Sequence, residues 1–308
     1  MVKKALLIGI NYKNTPNELK GCIKDIQNIK DILTKYCEYN IDNIKILTDE
    51  SSILPTKKNI EDNINWLVSN NIKGDTLFYY YSGHGSYTKD TSKDESNKKD
   101  ELIIPLDYDT QGGIVDDWFF ENMVSKIPEN INLWCFSDSC YSGTVMDLKY
   151  NYNSKNKLIN KKEEVNNYVP ENWSDKYSFS VEKSKDVAGN VFLFSGCLDN
   201  ETSEDAFVAN ENQGAFTYCL LETIKNSFIK KYDTVERFDP GNIKLRNVLK
   251  EINCRLIINK FDQRCQLSMS KQQNIDNQAP LSAPIEDLQV RIAFLDDLVE
   301  QLNEQLVI

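Results

Sequence analysis

The sequence predicts an α/β fold in which a central, mostly parallel sheet is flanked by helices. Short apolar runs bounded by turn residues are typical of buried parallel strands, and six of them occur along the chain. Longer segments with apolar residues at helical spacing separate these runs. Alternation of the two patterns indicates the α/β class, with right-handed crossovers between strands. A chain of 308 residues can bury a sizeable core.

The two patterns assign most of the elements. Strands are predicted at residues 4–10, 44–48, 75–82, 101–106, 131–137 and 190–195. Helices are predicted at residues 19–37, 57–70, 116–126, 214–229 and 242–259. The first apolar run is too short for a signal peptide and lacks a cleavage site, so it is interpreted as the first buried strand.

Two polar segments interrupt this pattern. Residues 86–100 are polar and charged, and they predict a mobile loop beside His84, the only histidine of the chain. Residues 148–189 are rich in Asn and Lys, and they predict an exposed, poorly packed insertion. Both segments lie within a single domain predicted to span residues 1–265.

The C-terminal part of the chain has a different pattern. Residues 266–284 are rich in Gln, Ser and Asn, and they predict a linker. Residues 285–308 predict an amphipathic helix. Its apolar positions recur every seven residues, with leucines three further on: Ile285, Ile292, Val299 and Leu306, then Leu288, Leu295 and Leu302. Residues 285–306 therefore predict either a coiled-coil homodimer or a helix folded onto its own domain.

Composition and charge restrict the partners and the compartment. The formal net charge of −11 argues against nucleic acid, because phosphate binding needs a basic face. No apolar segment approaches the length of a membrane span. The eight cysteines include no CxxC pair, and most lie in apolar periodic segments as small hydrophobes. We expect them to be reduced, in a cytoplasmic protein.

Two apolar runs end at turns that carry reactive side chains. Residues 79–82 lead directly to His84, and residues 133–136 lead to a Ser-Asp-Ser stretch followed by Cys140. Catalytic groups of α/β proteins gather beyond the carboxyl ends of parallel strands. A cysteine thiolate is a nucleophile, and a nearby imidazole can lower its pKa or move its proton. The pattern predicts a cysteine peptidase.

Four ordered motifs give the chain a family resemblance over about residues 3–260. They lie at residues 81–85, 100–107, 114–117 and 138–143. In this order they resemble the metacaspases, which are cysteine peptidases of caspase-like fold. The histidine precedes the cysteine by 56 residues, in agreement with the spacing of caspases. The stretches 195–205 and 214–217 are also similar to that family.

The residues and the resemblance together suggest catalytic roles. Cys140 would be the nucleophile, and His84 would protonate the leaving amine and then activate water. The N–H groups of Cys140 and Gly85 would form an oxyanion hole.

The resemblance also implies cleavage of polypeptides after Arg or Lys. Asp138, two residues before the nucleophile, and Asp25 would form an acidic pocket, and Ser82 would add a hydroxyl group. The structural alternatives are a cap at a strand-to-helix turn for Asp138 and a solvated helix face for Asp25.

The resemblance further implies a calcium site made of four aspartates. The matching positions are Asp100, Asp116, Asp117 and Asp147. Carboxylates are hard oxygen ligands that suit Ca²⁺, and the alternative is that they are solvated loop acids.

Lysines within residues 148–189 predict self-cleavage by an enzyme that cuts after Lys. The competing hypothesis for the whole chain is a catalytically inactive caspase-fold scaffold that associates through its C-terminal coiled coil.

Overall fold

A computed structural model describes most of the chain. The described residues are 1–89, 99–143, 145–154, 177–182, 184–197, 205–208, 211–232, 235–238 and 243–276. The predicted helix at residues 285–308 and most of the predicted insertion therefore lie outside them. Within the described ranges, no helix combines the length and the apolar character needed to cross a membrane.

The strands and helices of the described residues are numbered in chain order. The strands are β1 (Lys3–Gly9), β2 (Ile44–Thr48), β3 (Thr76–Ser82), β4 (Gly85–Lys89), β5 (Lys99–Ile103), β6 (Ile114–Val115), β7 (Asn132–Asp138), β8 (Tyr150–Ser154), β9 (Tyr177–Val181), β10 (Asn190–Ser195), β11 (Asp205–Val208), β12 (Glu211–Gly214), β13 (Ile229–Tyr232), β14 (Val235–Phe238) and β15 (Gln266–Met269). The α-helices are α1 (Cys22–Lys35), α2 (Lys57–Val68), α3 (Tyr108–Gln111), α4 (Asp116–Asn122), α5 (Ala215–Thr223) and α6 (Leu245–Ile258). Short 3₁₀ turns lie at Ile41–Asn43 and Val124–Lys126, and a π turn at Ile224–Phe228 extends α5.

The largest sheet of the described residues has eight strands and organises the fold. Its strand order is β2-β1-β3-β7-β10-β15-β8-β9. The five strands from β2 to β10 are mutually parallel, and β15, β8 and β9 extend the sheet through antiparallel pairs. This mostly parallel sheet between layers of helices confirms the predicted fold class.

Helices cover both faces of this sheet, which explains the continuous apolar runs. Along β1, Ala5 and Leu7 join the core under α1, α5 and α6, whereas Leu6 and Ile8 join the core under α2 and α4. A strand buried on both faces has no polar alternation. The five parallel strands are consequently the elements that the sequence predicts best.

The predicted strand at 101–106 belongs to a different sheet. Its main-chain pairing runs over Lys99–Ile103, between β4 and β6 in a three-stranded antiparallel sheet. Pro105 lacks an N–H group and cannot continue a ladder. The predicted loop at 86–100 is also partly wrong, because β4 and the first residues of β5 form the two arms of a hairpin.

Polar segments contribute three more strands to the main sheet. The predicted linker at 266–284 begins instead with β15, whose four residues are buried between β10 and β8. The predicted insertion at 148–189 is bounded by β8 and β9, and its start is packed, with Asn151 only 2% exposed. The described domain therefore extends beyond residue 265 and includes both ends of the insertion.

Candidate functional site

The carboxyl ends of β3 and β7 bring the two reactive side chains to one edge of the sheet. These strands are parallel neighbours, and Ser82 pairs with Asp138 at the end of their register. His84 and Cys140 each follow two residues later in the chain. The N–H of Gly83 donates to the carbonyl of Asp138 at 3.3 Å, which continues the contact beyond the strands. The register therefore places the histidine turn beside the cysteine turn.

Gly85 and Cys140 meet through their backbones. A Cβ atom added to Gly85 would lie 2.0 Å from the carbonyl oxygen of Cys140, so only glycine permits this approach. The next residue, Tyr141, has a φ of +52°, in the left-handed region that side chains rarely adopt. Such strain is commonly concentrated at functional turns. The nucleophile turn is thus both close to Gly85 and conformationally constrained.

The imidazole of His84 is held by a backbone carbonyl group. Its Nε2 lies 2.7 Å from the carbonyl oxygen of Asn17. Because a carbonyl oxygen only accepts, Nε2 carries the proton in this hydrogen bond. The other ring nitrogen, Nδ1, is then the one able to exchange a proton with a thiol.

Tyr12 contacts the same histidine through its ring and its hydroxyl. Its ring lies 4.7 Å from the imidazole, centroid to centroid. Its hydroxyl accepts a hydrogen bond from the backbone N–H of His84 at 3.0 Å. That hydroxyl also donates to the carbonyl of Ile104 at 2.6 Å. Sequence patterns do not reveal the contacts of Asn17 and Tyr12 with His84, because both residues lie more than 60 residues before it and Asn17 acts through its backbone.

The two predicted pocket acids lie together and are buried. Asp25 and Asp138 have exposed fractions of 0% and 4%. A Cβ atom on Gly214 would lie 2.0 Å from one carboxylate oxygen of Asp138 and 3.0 Å from one of Asp25, so both acids approach one point. The alternative of a solvated helix face for Asp25 is therefore excluded, because its side chain is fully buried.

Asp25 reaches this point because of the way α1 begins. The side chain of Asn11 accepts the N–H groups of Cys22 and Ile23 at 3.0 and 3.4 Å, which caps the helix just before its first turn. The carboxylate of Asp25 then accepts the hydroxyl of Ser82 at 2.8 Å. It also accepts the N–H of Gly214, 3.1 Å from both oxygens.

Asp138 is held by the first turn of α5. Its Oδ2 atom accepts both the N–H of Thr217, at 2.9 Å, and the hydroxyl of Thr217, at 2.6 Å. The structural alternative for Asp138 is thus partly right, since the carboxylate caps a helix, although the helix is α5. The partial positive charge at a helix N-terminus also stabilises nearby carboxylates.

Side chains from β15 and the end of β10 fix the nucleophile turn. The thiol of Cys197 donates to the carbonyl of Ser139 at 2.8 Å, and the side-chain amide of Gln266 donates to the carbonyl of Gly143 at 2.8 Å. Burial raises the pKa of Cys197 to about 12, so its thiol stays protonated as a donor. All eight cysteines are free thiols, and six of them are buried. Cys140 is half-buried.

Three of the four predicted calcium ligands lie on or directly beside the three-stranded sheet of β4, β5 and β6, the small sheet. Asp100 lies on β5, and Asp116 and Asp117 begin α4 directly after β6. Burial raises the pKa of Asp116 to about 7; backbone N–H groups of Asp117 and Glu101 oppose the shift, and the carboxylates of Asp100 and Asp117 add to it. Buried carboxylates that repel one another fit a hard cation.

Backbone donors satisfy the carboxylate of Asp116 in the structure. Both oxygens of Asp116 accept backbone N–H groups, from Glu101 at 2.6 Å and from Asp117 at 2.8 Å. Within the described ranges, no three His, Cys, Asp or Glu side chains converge as metal ligands. Asp147 is half-buried, with a φ of +48°, seven residues after Cys140.

The fold and the cysteine turn define a class, the caspase-like cysteine peptidases. A family model described as metacaspase, peptidase C14 domain, matches residues 3–149. Metacaspase-1 of Candida glabrata is 35% identical over 298 residues, which cover 87% of this chain and 72% of that protein. Metacaspase-1A of Neurospora crassa is 34% identical over 304 residues, 89% of this chain and 64% of that protein. The chain belongs to the metacaspase family.

A solved structure supports the fold independently. The crystal structure of a Geobacter sulfurreducens protein aligns with a TM-score of 0.60 at 23% identity, covering 92% of this chain and 99% of that chain. At this identity the likeness concerns the fold alone. Family membership adds the chemical class, so the described site is read as that of a cysteine peptidase acting on polypeptides.

Proposed function

We propose that the protein is a calcium-dependent cysteine endopeptidase that cleaves after Arg or Lys. The observation that carries the proposal is the register of β3 and β7. It brings His84 and Cys140 to one edge of the sheet, directly after the residues Ser82 and Asp138. A reactive pair and a buried acidic pair therefore share one strand junction.

The catalytic steps follow from the chemistry of these groups. Nδ1 of His84 takes the proton of the Cys140 thiol, and the sulfur attacks the carbonyl carbon of the scissile peptide bond. The N–H groups of Cys140 and Gly85 stabilise the resulting oxyanion. His84 protonates the departing amine, which leaves a thioester on Cys140. The imidazole then removes a proton from water, and water attacks the thioester to release the acid. The hydrogen bond from Nε2 to Asn17 orients the ring throughout.

The acidic pocket supports the preference for a basic residue. Asp138 lies two residues before the nucleophile, so we expect its carboxylate to lie close to the substrate residue that precedes the scissile bond. Asp25 lies beside it, and both are almost fully buried. Two desolvated carboxylates attract a cation strongly and disfavour an anionic side chain. This argument favours Arg or Lys over Asp.

Calcium would order the small sheet rather than take part in the reaction. Asp100, Asp116 and Asp117 would hold it, with Asp147 as the fourth candidate, and a bound cation would neutralise their mutual repulsion. Tyr87 of β4 lies 5.0 Å from the ring of Tyr141, edge to face. The small sheet thus contacts the nucleophile turn, and ordering this sheet would order the cleft.

Self-cleavage in residues 148–189 is part of the same proposal. Among the described lysines of this segment, Lys149 pairs with Asp186 at 2.7 Å, so it is a poorer candidate than a lysine without such a contact. The central part of the segment, residues 155–176, lies outside the described residues. Intact mass measured over time in calcium, for wild type and for Cys140→Ala, would locate the cuts.

The primary test is hydrolysis of matched fluorogenic peptides that end in Arg, Lys or Asp. We expect cleavage after Arg and Lys in calcium, a fall to background in a chelator, and loss of activity in Cys140→Ala, since removal of a nucleophile typically costs several orders of magnitude. Cys37→Ala is the matched control, because Cys37 is another half-buried thiol, in the loop after α1. A folded, calcium-loaded protein that cleaves none of the peptides would instead support the scaffold hypothesis.

A further inference from the structure

Thr217 donates two hydrogen bonds to one oxygen of a buried carboxylate. Its N–H and its hydroxyl lie 2.9 and 2.6 Å from Oδ2 of Asp138. Thr217 is 0% exposed, and Asp138 is 4% exposed, so water does not compete for these bonds. Hydrogen bonds to a charged group in such surroundings are the strong ones.

Tyr80 completes a directed chain of donors. Its hydroxyl is hydrogen-bonded to the hydroxyl of Thr217. Since Thr217 uses its proton for Asp138, its oxygen accepts the proton of Tyr80. Burial, with the charges of Asp25 and Asp138, raises the pKa of Tyr80, which keeps this phenol protonated. The hydroxyl of Tyr80 therefore donates to the hydroxyl of Thr217, which in turn donates to the carboxylate of Asp138.

These hydrogen bonds offset the repulsion between two neighbouring carboxylates. Asp25 and Asp138 approach a common point beside Gly214, and two nearby carboxylates disfavour each other's ionised form. Asp25 has its own donors, the hydroxyl of Ser82 and the N–H of Gly214. The donors from Thr217 supply the equivalent stabilisation to Asp138 and fix its rotamer.

We propose that Thr217 is the positioning residue of the acidic pocket: by holding Asp138 ionised and in one orientation, it sets the preference for a cationic substrate side chain. This inference rests on the proposed function, since it concerns the same pocket. Thr217 does not touch the substrate and acts only through Asp138. Tyr80 strengthens the hydroxyl of Thr217 and has the smaller role.

The test compares peptides that end in Arg with peptides that end in citrulline, its uncharged isostere. In Thr217→Val, which removes the hydroxyl at constant shape, we expect the ratio of kcat/KM for Arg over citrulline to fall about tenfold or more, mainly through KM. Thr217→Ser, which restores the hydroxyl, should remain within about threefold of wild type. Tyr80→Phe should lower the ratio by only about threefold.

Thr223→Val is the matched control on the same helix. Thr223 is also 0% exposed, but its hydroxyl donates to the carbonyl of Cys219 within α5. We expect this variant to preserve the Arg to citrulline ratio even if its thermal stability falls. Alkylation of Cys140 by iodoacetamide reports on an intact nucleophile turn in each variant, independently of pocket charge.

The outcomes separate this inference from the proposed function. A wild type that prefers Arg, with an unchanged ratio in Thr217→Val, would overturn the role of Thr217 and leave the proposed function in place. A wild type that cleaves citrulline peptides as well as Arg peptides, or neither, would overturn the proposed pocket and this inference with it. A ratio that falls equally in Thr223→Val would also reject a specific role for Thr217.

Discussion

The two pairs of side chains at the β3–β7 junction are held in contrasting ways. His84 and Cys140 are half-buried, and the described contacts of the histidine run through backbone carbonyl and tyrosine groups. Asp25 and Asp138 are almost fully buried, and hydroxyl and N–H donors fix their carboxylates. The reacting pair is therefore accessible, whereas the recognition pair is enclosed.

The contrast follows from what each pair must do. A nucleophile has to reach a substrate carbonyl and a general acid has to reach the leaving amine, so both need access. A charge that selects a cation gains strength from a low dielectric, provided that its own hydrogen bonds are satisfied. Changes at the first pair should therefore act on kcat, and changes at the second pair on KM and on the choice of substrate.

Apart from removal of the nucleophile itself, the largest effect on the reacting pair is expected from Gly85→Ala. The added methyl would meet the carbonyl of Cys140 at 2.0 Å, so one of the two turns must move. A displacement of about 1 Å at a reacting group can cost roughly a hundredfold in rate. We expect kcat/KM on an Arg peptide to fall by about that factor, with the Arg to citrulline ratio unchanged.

Thermal melting of Gly85→Ala provides the control. Overpacking of this kind typically costs about 1–3 kcal/mol, so the folded state should persist at assay temperature. A variant that stays folded and retains wild-type kcat would show that the close approach of the two turns is not needed for the reaction.

The sequence predicts the fold and the reactive groups unequally well. Continuous apolar runs locate β1, β2, β3, β7 and β10 to within about one residue, because all of these strands except the half-buried edge strand β2 are buried on both faces. By contrast, the polar composition of residues 266–284 predicts a linker where β15 lies, since β15 contains buried polar residues such as Gln266. Its amide is satisfied by the carbonyl of Gly143, a partner 123 residues away that no local pattern reveals.

The candidate site shows the same limit. His84, Cys140 and Asp138 stand out because reactive or charged side chains follow apolar runs closely, whereas Asp25, on α1, is suggested only by the family resemblance. Asn17 does not stand out, because its backbone carbonyl carries no signature of residue type. Thr217 lies in a stretch whose only signal is its similarity to the family, and its contact with Asp138 depends on how α5 packs against β7.

A smaller effect on the reacting pair is expected from Tyr12→Phe. This change keeps the ring against His84 but removes the hydroxyl that accepts the N–H of His84 and donates to Ile104. Loss of such buried hydrogen-bond partners typically costs about 1–3 kcal/mol of folding free energy. Without them the imidazole of His84 should be more mobile. We expect kcat to fall roughly tenfold, with KM nearly unchanged, in steady-state assays on an Arg peptide.

Tyr79→Phe is the matched control for that experiment. Tyr79 is a neighbouring buried tyrosine on β3, and its hydroxyl has no hydrogen-bond partner within the described part of the chain. Its removal should leave kcat unchanged. Equal losses in the two variants would mean that Tyr12 contributes to general packing rather than to the position of His84.

The smallest effect is expected at the recognition pair, from Ser82→Ala. The hydroxyl of Ser82 donates to Asp25 at 2.8 Å, but Asp25 keeps the N–H of Gly214. The N–H of Gly214 should preserve most of the carboxylate's charge and orientation, so KM for an Arg peptide should rise only about three- to fivefold, with kcat unchanged. Ser270→Ala is the control, because this buried serine donates to Gly189 near the opposite end of β10. A fall in kcat rather than a rise in KM would mean that Ser82 acts on the adjacent His84 turn, and the division between the two pairs would not hold.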